Sequence, residues 1–302
     1  MKIKGYVSAL RLRTLPLSLS GVSLGAMLAA ADYNVDFRVA LFVLLTAAFI
    51  QLLSNVCNEL GDYRRGVSSA HERYASAALK DGTVSEQGLK VLVRILTALS
   101  ICSGLIMIYL TFGSLFLLES FILMVFGYLA IRAAVNYTLG SNPYGYRGLG
   151  DLYVFLYFGI VAVWGSYYVC SHSFGTMMLA LPACAVGFFS VGVLNVNNIR
   201  DISTDMACRK TVAVRLGERR AKIYQTVLLV LGWVSMLSYS CLRIFDPWHF
   251  IFIITLPLFA WHLVMLWKYQ GPQLDRGLPL LVLSVLAFSL LSGLGFIMFL
   301  YI

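Results

Sequence analysis

Two segments carry oxygen-bearing side chains at helical spacing. The first is Asn58-Glu59-Leu60-Gly61-Asp62-Tyr63-Arg64-Arg65-Gly66, with Asn55 one turn earlier. Residues three and four apart share a helix face, so Asn55, Asn58 or Glu59, and Asp62 are expected to point the same way. The second runs from Asn195 to Asp205, where Asn195, Asn198, Asp201 and Asp205 form one expected stripe, followed by Arg209, Lys210 and Arg215. Asp and Asn at a helix end often serve only as caps. Two matched clusters, each continuing an apolar run, exceed what capping requires. Carboxylates and amides on one face suit Mg²⁺, which takes oxygen ligands and shares them with substrate phosphates. Arg and Lys nearby would neutralise phosphate oxygens. The chemistry suggested is a metal–diphosphate site.

The elements that must position these residues follow from composition. The chain has 302 residues, 60% apolar and 12% charged, with mean hydropathy +0.82. A soluble domain is about 45–50% apolar and about 25% charged. A water-soluble fold could not hide this much apolar surface, and disorder requires the opposite composition. An integral membrane protein remains. Nine apolar runs are long enough to cross a bilayer as helix: Leu15–Ala31, Val39–Cys57, Val91–Leu110, Ser114–Ile131, Leu152–Val169, Met177–Val196, Ile223–Ser240, Phe250–Trp267 and Pro279–Leu300. They are continuous rather than alternating, which argues against a barrel. The first resembles a signal peptide but is long and has eight successors, so it is expected to stay as helix one. The six cysteines form no C-x-x-C pair and are expected to be small buried hydrophobes.

Charge sets the orientation. With nine spans, 21 of the 23 Lys and Arg fall on the side of the N-terminus, leaving Arg38 and Arg243 on the other. The positive-inside rule makes the first side cytoplasmic. Loops of about 20–30 residues are expected there after spans two, four and six, and both acidic clusters face that side. The formal net charge of +9 is therefore topological, and no nucleic-acid partner is needed to explain it.

Several segments together resemble the UbiA superfamily of intramembrane aromatic prenyltransferases, and within it the 1,4-dihydroxy-2-naphthoate polyprenyltransferases. Arg11-Leu12-Arg13-Thr14-Leu15-Pro16 is similar to that group's R-P-K-T-L-P start. Asn58-Glu59-Leu60-Gly61-Asp62-Tyr63 matches N-[DE]-x-x-D-Y. Asn142 to Asp151 is similar to P-x-x-Y-R-G-x-G-[DE]. Leu194 to Asp205 and Arg209 to Gly217 match L-N-x-N-N-x-R-D-x-x-x-D and K-x-x-x-x-x-R-L-G. The resemblance extends over nearly the whole chain. One departure stands out: the family continues the first cluster as G-x-D with a Gly-Pro downstream. This chain has Gly66-Val67-Ser68, then His71-Glu72-Arg73 without the Gly-Pro. Ser68 takes the place of a carboxylate unless Glu72-Arg73 replaces it with a shift.

The resemblance implies an all-α membrane protein, nine transmembrane helices in a UbiA-type bundle with a central cavity opening to the cytoplasmic side. It implies one prenyltransferase domain over residues 1–302, in the cytoplasmic (inner) membrane of a prokaryote. The implied reaction is Mg²⁺-dependent transfer of a polyprenyl group from polyprenyl diphosphate to 1,4-dihydroxy-2-naphthoate, with loss of CO₂ and diphosphate, giving demethylmenaquinone. Asp62, Asn58, Asp201 and Asp205 would hold the metal. Asp62, Asp201, Asp205, Arg147 and Asp151 would be catalytic, and Asn58, Asn198, Lys210, Arg209, Tyr146 and Arg13 would bind substrate. Plainer readings stand beside three of these: a helix cap for Asp151, an interfacial anchor for Tyr146, a positive-inside charge for Arg13. Another aromatic acceptor, a non-catalytic paralogue (favoured by Ser68) or a transporter also remain open from sequence.

Overall fold

The computed structural model describes residues 2–65, 79, 82, 84–243 and 245–298. Ser68, His71, Glu72 and Arg73 lie outside the described residues, so the departure from the family pattern has no structural account here.

Nine helices among the described residues are long and apolar enough to cross a membrane: Lys4–Asp32, Phe37–Arg64, Glu86–Phe112, Leu118–Asn136, Gly150–Ser171, Met177–Arg200, Glu218–Leu242, Pro247–Lys268 and Gly271–Met298. In a bilayer every backbone polar group must be satisfied within the segment, and a helix does that. The chain is an integral membrane protein, and each apolar run has become one span. Local signals set the ends. Asp36 accepts the backbone N–H of Arg38 (2.8 Å) at the start of span two, and Ser85 accepts that of Gly88 (3.0 Å) at the start of span three. Gly113 ends span three in the left-handed region, φ +73°.

Spans two and six run past their apolar sequence, to Arg64 and Arg200. Asn58 to Arg64 of the first acidic cluster are therefore helical, and, with span four reaching Asn136, the connections at 137–149 and 201–217 are shorter than the expected loops. The reason is that these polar residues face a cavity in the bundle, so the helix need not end where hydropathy falls.

Spans one, six and nine are the interior of the bundle, and spans three and four its periphery. Span one packs on spans nine, five and two; span six packs on spans five and seven; spans two and three pair with each other. Small residues allow the tightest crossings. At Gly21 a Cβ would stand 2.5 Å from the Phe158 carbonyl oxygen, and at Gly25 it would overlap Val163 and Ser166 of span five. The core is aromatic where spans six to nine meet, with Phe189, Trp233, Phe259 and Phe288 in edge and tilted contacts of 4.8–6.1 Å.

Besides the 3₁₀ stretches that open spans six, eight and nine (Met177–Leu179, Pro247–Thr255 and Gly271–Arg276), two features break the regular pattern. Arg11 has a left-handed backbone (φ 46°) between the helix Lys2–Ala9 and the rest of span one. Span five is a π-helix over Phe155–Trp164. The cysteines also differ from expectation: only Cys57 and Cys170 are buried, whereas Cys102, Cys208 and Cys241 are exposed. Cys102 and Cys241 lie on spans whose outer faces turn away from the bundle, where lipid would replace protein as the apolar surround.

Candidate active site

A cavity of about 460 Å³ runs between spans one, two, four, five, six and nine, with Met107 of span three also on its wall. Its wall changes character along the spans. One part is apolar, with Val22, Val43, Met107, Phe126, Phe158, Val161 and Val282. The part at the ends of spans two and six carries Arg13, Asn58, Asp62, Asn198, Asp201, Asp205 and Arg209. The shape fits a molecule with a charged head and an oily tail.

Span two supplies Asn58 and Asp62. Asn58 accepts a hydrogen bond from the Thr138 hydroxyl (3.0 Å), and Gly61 lets the helix lie against the Thr138 backbone. Asp62 accepts from the Tyr146 hydroxyl (2.6 Å) and from Arg209 Nη2. Span six supplies Asn198 and, at its C-cap, Asp201; Asp205 stands on the following short helix, Ile202–Asp205. Asp201 is clamped by its neighbour Arg200 (2.9 and 2.6 Å), whose Nη1 reaches Asp275 at 2.5 Å. Asp205 is 5% exposed. Burial, reinforced by Asp201 and Asp62 and opposed by Arg209, raises its carboxyl to about 6. Burial and Asp62 raise the Tyr146 phenol.

Seven of the eleven expected site residues thus line one cavity: Asp62, Asp201, Asp205, Asn58, Asn198, Arg209 and Arg13. Tyr146 touches it through Asp62, with the guanidinium groups of Arg65 and Arg209 over its ring at 4.9 and 4.5 Å. Three residues are placed elsewhere. Arg147 and Lys210 are exposed and do not line the cavity; the Arg147 carbonyl accepts from Arg215 (3.1 Å), and the Lys210 backbone N–H donates to the Tyr146 carbonyl (3.0 Å). Asp151 is turned towards span seven, where it accepts from the Tyr224 hydroxyl at 3.1 Å. The expected four-residue stripe is also broken. Asn195 faces span seven and donates to the Ala221 carbonyl and to Gln225, both at 3.0 Å, because the cavity edge passes between it and Asn198. Likewise Glu59 does not line the cavity and pairs with Arg11.

Four lining tyrosines lie outside the expected set. Tyr137, Tyr144, Tyr153 and Tyr157 line the wall as an aromatic ladder, with centroid separations of 5.3, 3.9 and 6.2 Å. Tyr153 and Tyr157 are four apart in sequence, a signal that was available; their meeting with Tyr144 was not.

The described residues contain no group of three or more His, Cys, Asp or Glu close enough to hold a metal ion by themselves. Instead one acidic bank, Asp62, opposes another, Asp201 and Asp205, across the cavity. The UbiA prenyltransferase family pattern matches residues 18–286. The chain belongs to the UbiA prenyltransferase family. Membership makes it a membrane-embedded prenyltransferase. It is 32% identical over 298 residues to the 1,4-dihydroxy-2-naphthoate octaprenyltransferase of Haemophilus influenzae, covering 97% of this chain and 96% of that one. The fold is similar to that of a UbiA homologue from Aeropyrum pernix, TM-score 0.71 at 17% identity, covering 96% of this chain and 99% of that one. It is also similar to a UbiA homologue from Archaeoglobus fulgidus bound to DMAPP and Mg²⁺, TM-score 0.59 at 17% identity, covering 97% and 99%.

Proposed function

We propose that this UbiA-family chain, acting as one domain, transfers a polyprenyl group from polyprenyl diphosphate to 1,4-dihydroxy-2-naphthoate, with loss of CO₂ and diphosphate. The observation that carries the reading is the single cavity with opposed carboxylate banks at one part and an apolar wall beyond it. A near relative bearing that activity's name supports the acceptor.

The donor set fits Mg²⁺. It is all oxygen, and too dispersed to enclose an ion, as expected where substrate phosphates complete the shell. Asp62 and Asn58 would hold it from one bank, Asp201 and Asp205 from the other. When bound, Mg²⁺ would neutralise charge gathering on the leaving diphosphate. The chain's own groups do the rest. Arg209 and Arg13 offer fixed positive charge at the polar part, preorganised for the leaving oxygens. Arg147 and Lys210, exposed and outside the cavity lining, would add to the potential that draws an anion in. The apolar wall takes the prenyl tail and excludes water, which would otherwise capture the allylic cation. The tyrosine ladder offers ring faces to that cation and to the flat acceptor. The allylic C–O bond breaks with its electron pair leaving on diphosphate. The ring carbon bearing the acceptor's carboxyl group then attacks C1 of the prenyl group. Loss of CO₂ returns electrons to the ring, leaving the quinol form of demethylmenaquinone.

The charge asymmetry supports a cytoplasmic N-terminus and cytoplasmic site loops, in the inner membrane of a bacterium. The deciding experiment incubates the purified protein with polyprenyl diphosphate, Mg²⁺ and a panel of aromatic acceptors, products being identified by mass. A decarboxylated prenyl-naphthoquinol is expected. EDTA should abolish it, and Asp62→Asn or Asp201→Asn should lower turnover about a hundredfold or more. Undiminished turnover in both variants, or product only with another acceptor, refutes the reading.

A further inference from the structure

Arg209 stands where the acidic banks meet. Its backbone N–H donates to the Asp205 carbonyl at 2.7 Å, and the next residue donates its N–H to Tyr146, so the root of the side chain is pinned on both sides. From there the guanidinium crosses to the opposite bank. Nη2 bonds Asp62 Oδ1 and lies 3.3 Å from the Tyr146 hydroxyl, while Nε is 3.7 Å from Asp205 Oδ1. That Nε is buried and has no hydrogen-bond partner. Arg200 already pairs with Asp201, which leaves Asp62 and Asp205 as the acids Arg209 must balance.

We propose that Arg209 is a resident counter-ion, holding a cation's place between Asp62 and Asp205 until a diphosphate draws it away, so that divalent metal and diphosphate bind as a coupled pair. This rests on the diphosphate reading above. Asp62 Oδ1 already accepts from both Tyr146 and Arg209, and those two donors use its lone pairs. A metal ion can use that oxygen only if the guanidinium leaves, and two cations that close repel. A diphosphate removes both obstacles. Its oxygens offer Arg209 a bidentate partner and give the unpartnered Nε an acceptor, while its charge offsets the metal's. Each ligand thus lowers the cost of binding the other, and the coupling is reciprocal by linkage.

The test measures Mn²⁺ binding to the full-length protein in detergent by electron paramagnetic resonance. Titrations are run with and without inorganic pyrophosphate, corrected for the soluble Mn–pyrophosphate complex. In the unmodified protein, pyrophosphate should tighten Mn²⁺ binding about tenfold or more, within the usual range of coupling between sites. Arg209→Gln should bind Mn²⁺ alone about tenfold more tightly and lose most of the pyrophosphate effect. Arg209→Gln binding Mn²⁺ no more tightly, or keeping the full pyrophosphate effect, overturns the proposal. Arg209→Lys decides the matter if Arg209→Gln does not fold: it keeps the charge but loses the fork a diphosphate would hold, so the pyrophosphate effect should shrink several-fold, and a full effect overturns the proposal. If the unmodified protein binds neither Mn²⁺ nor pyrophosphate, the metal–diphosphate reading itself fails, a result distinct from both.

Discussion

Glu59 sits in the acidic motif of span two yet is turned away from the cavity, and replacing it separates a structural carboxylate from a ligating one. Its side chain is 2% exposed and that of Arg11 is 27% exposed, with Arg11 Nε donating to Glu59 Oε1 at 2.6 Å. Arg11 is the left-handed residue at the break before the main helix of span one. Asn55 bonds the same turn through the Leu10 carbonyl (2.8 Å) and the Thr14 hydroxyl (2.9 Å). Glu59→Gln keeps an acceptor for Arg11 and removes only the charge. A unit pair at 4 Å and an effective dielectric of 20 is worth about 4 kcal/mol. The retained hydrogen bond and the water reaching Arg11 cut this to about 2 kcal/mol, below the 3–5 of a fully buried pair. Local opening around Glu59 should therefore rise about thirtyfold. Cys57, fully buried two residues earlier, reports on it. Its alkylation rate, resolved by peptide mass, should rise by that factor, while Mn²⁺ binding and turnover at low temperature stay close to normal. A Glu59→Gln protein that keeps Cys57 protected but loses Mn²⁺ binding as Asp62→Asn does would make Glu59 a ligand and refute the reasoning.

Three further outcomes are expected. Gly25→Ala places a methyl group inside Val163 and Ser166 and should cost about 1–3 kcal/mol; an unchanged thermal inactivation midpoint would show that spans one and five do not cross so closely. Arg243→Gln breaks a partly exposed pair with Asp32 (2.8 Å) at the end of the bundle away from Asp62. It should cost about 1 kcal/mol or less and leave turnover intact, so lost turnover would tie that end to catalysis. The Asp205 carboxyl is raised from 3.8 to about 6 in the folded chain. The metal-free fold therefore binds an extra proton in that window and loses stability as pH rises through it. The EDTA-treated protein should melt higher at pH 5 than at pH 7.5, and Asp205→Asn should remove that difference; a difference that survives the substitution points to another group.

The spans were legible because the bilayer imposes one rule on every one of them, and all nine apolar runs became helices. Their ends were less so. Hydropathy reads residue type and not what a residue faces, so it stopped at Cys57 although the helix carries Asn58 and Asp62 on to Arg64. Spacing on one helix also failed at its margin. Asn195 and Asn198 are three apart and some 60° off alignment, enough for a neighbouring helix to claim one and the cavity the other. The Tyr146–Asp62 bond joins residues 84 apart, and no periodicity reports on such a pair. The Arg11–Glu59 pair was hidden differently, because both lie within motifs that look catalytic.

The π-helical stretch of span five fixes how deep the cavity wall can run. The residues it turns inward are Tyr153 and Val154, Tyr157 and Phe158, Val161 and Ala162, Gly165 and Ser166, then Val169, a strict repeat of four. In an α-helix a step of four overshoots the 3.6-residue turn by about 40°, so such a column would wind out of the cavity within a few steps. The wider turns of Phe155–Trp164 cancel that drift and keep the column straight. The segment thus safeguards register as well as the close crossings at Phe158, Gly159 and Val163. Deleting a single residue from it, even an alanine, would take out about 100° of rotation and swing everything beyond off the cavity.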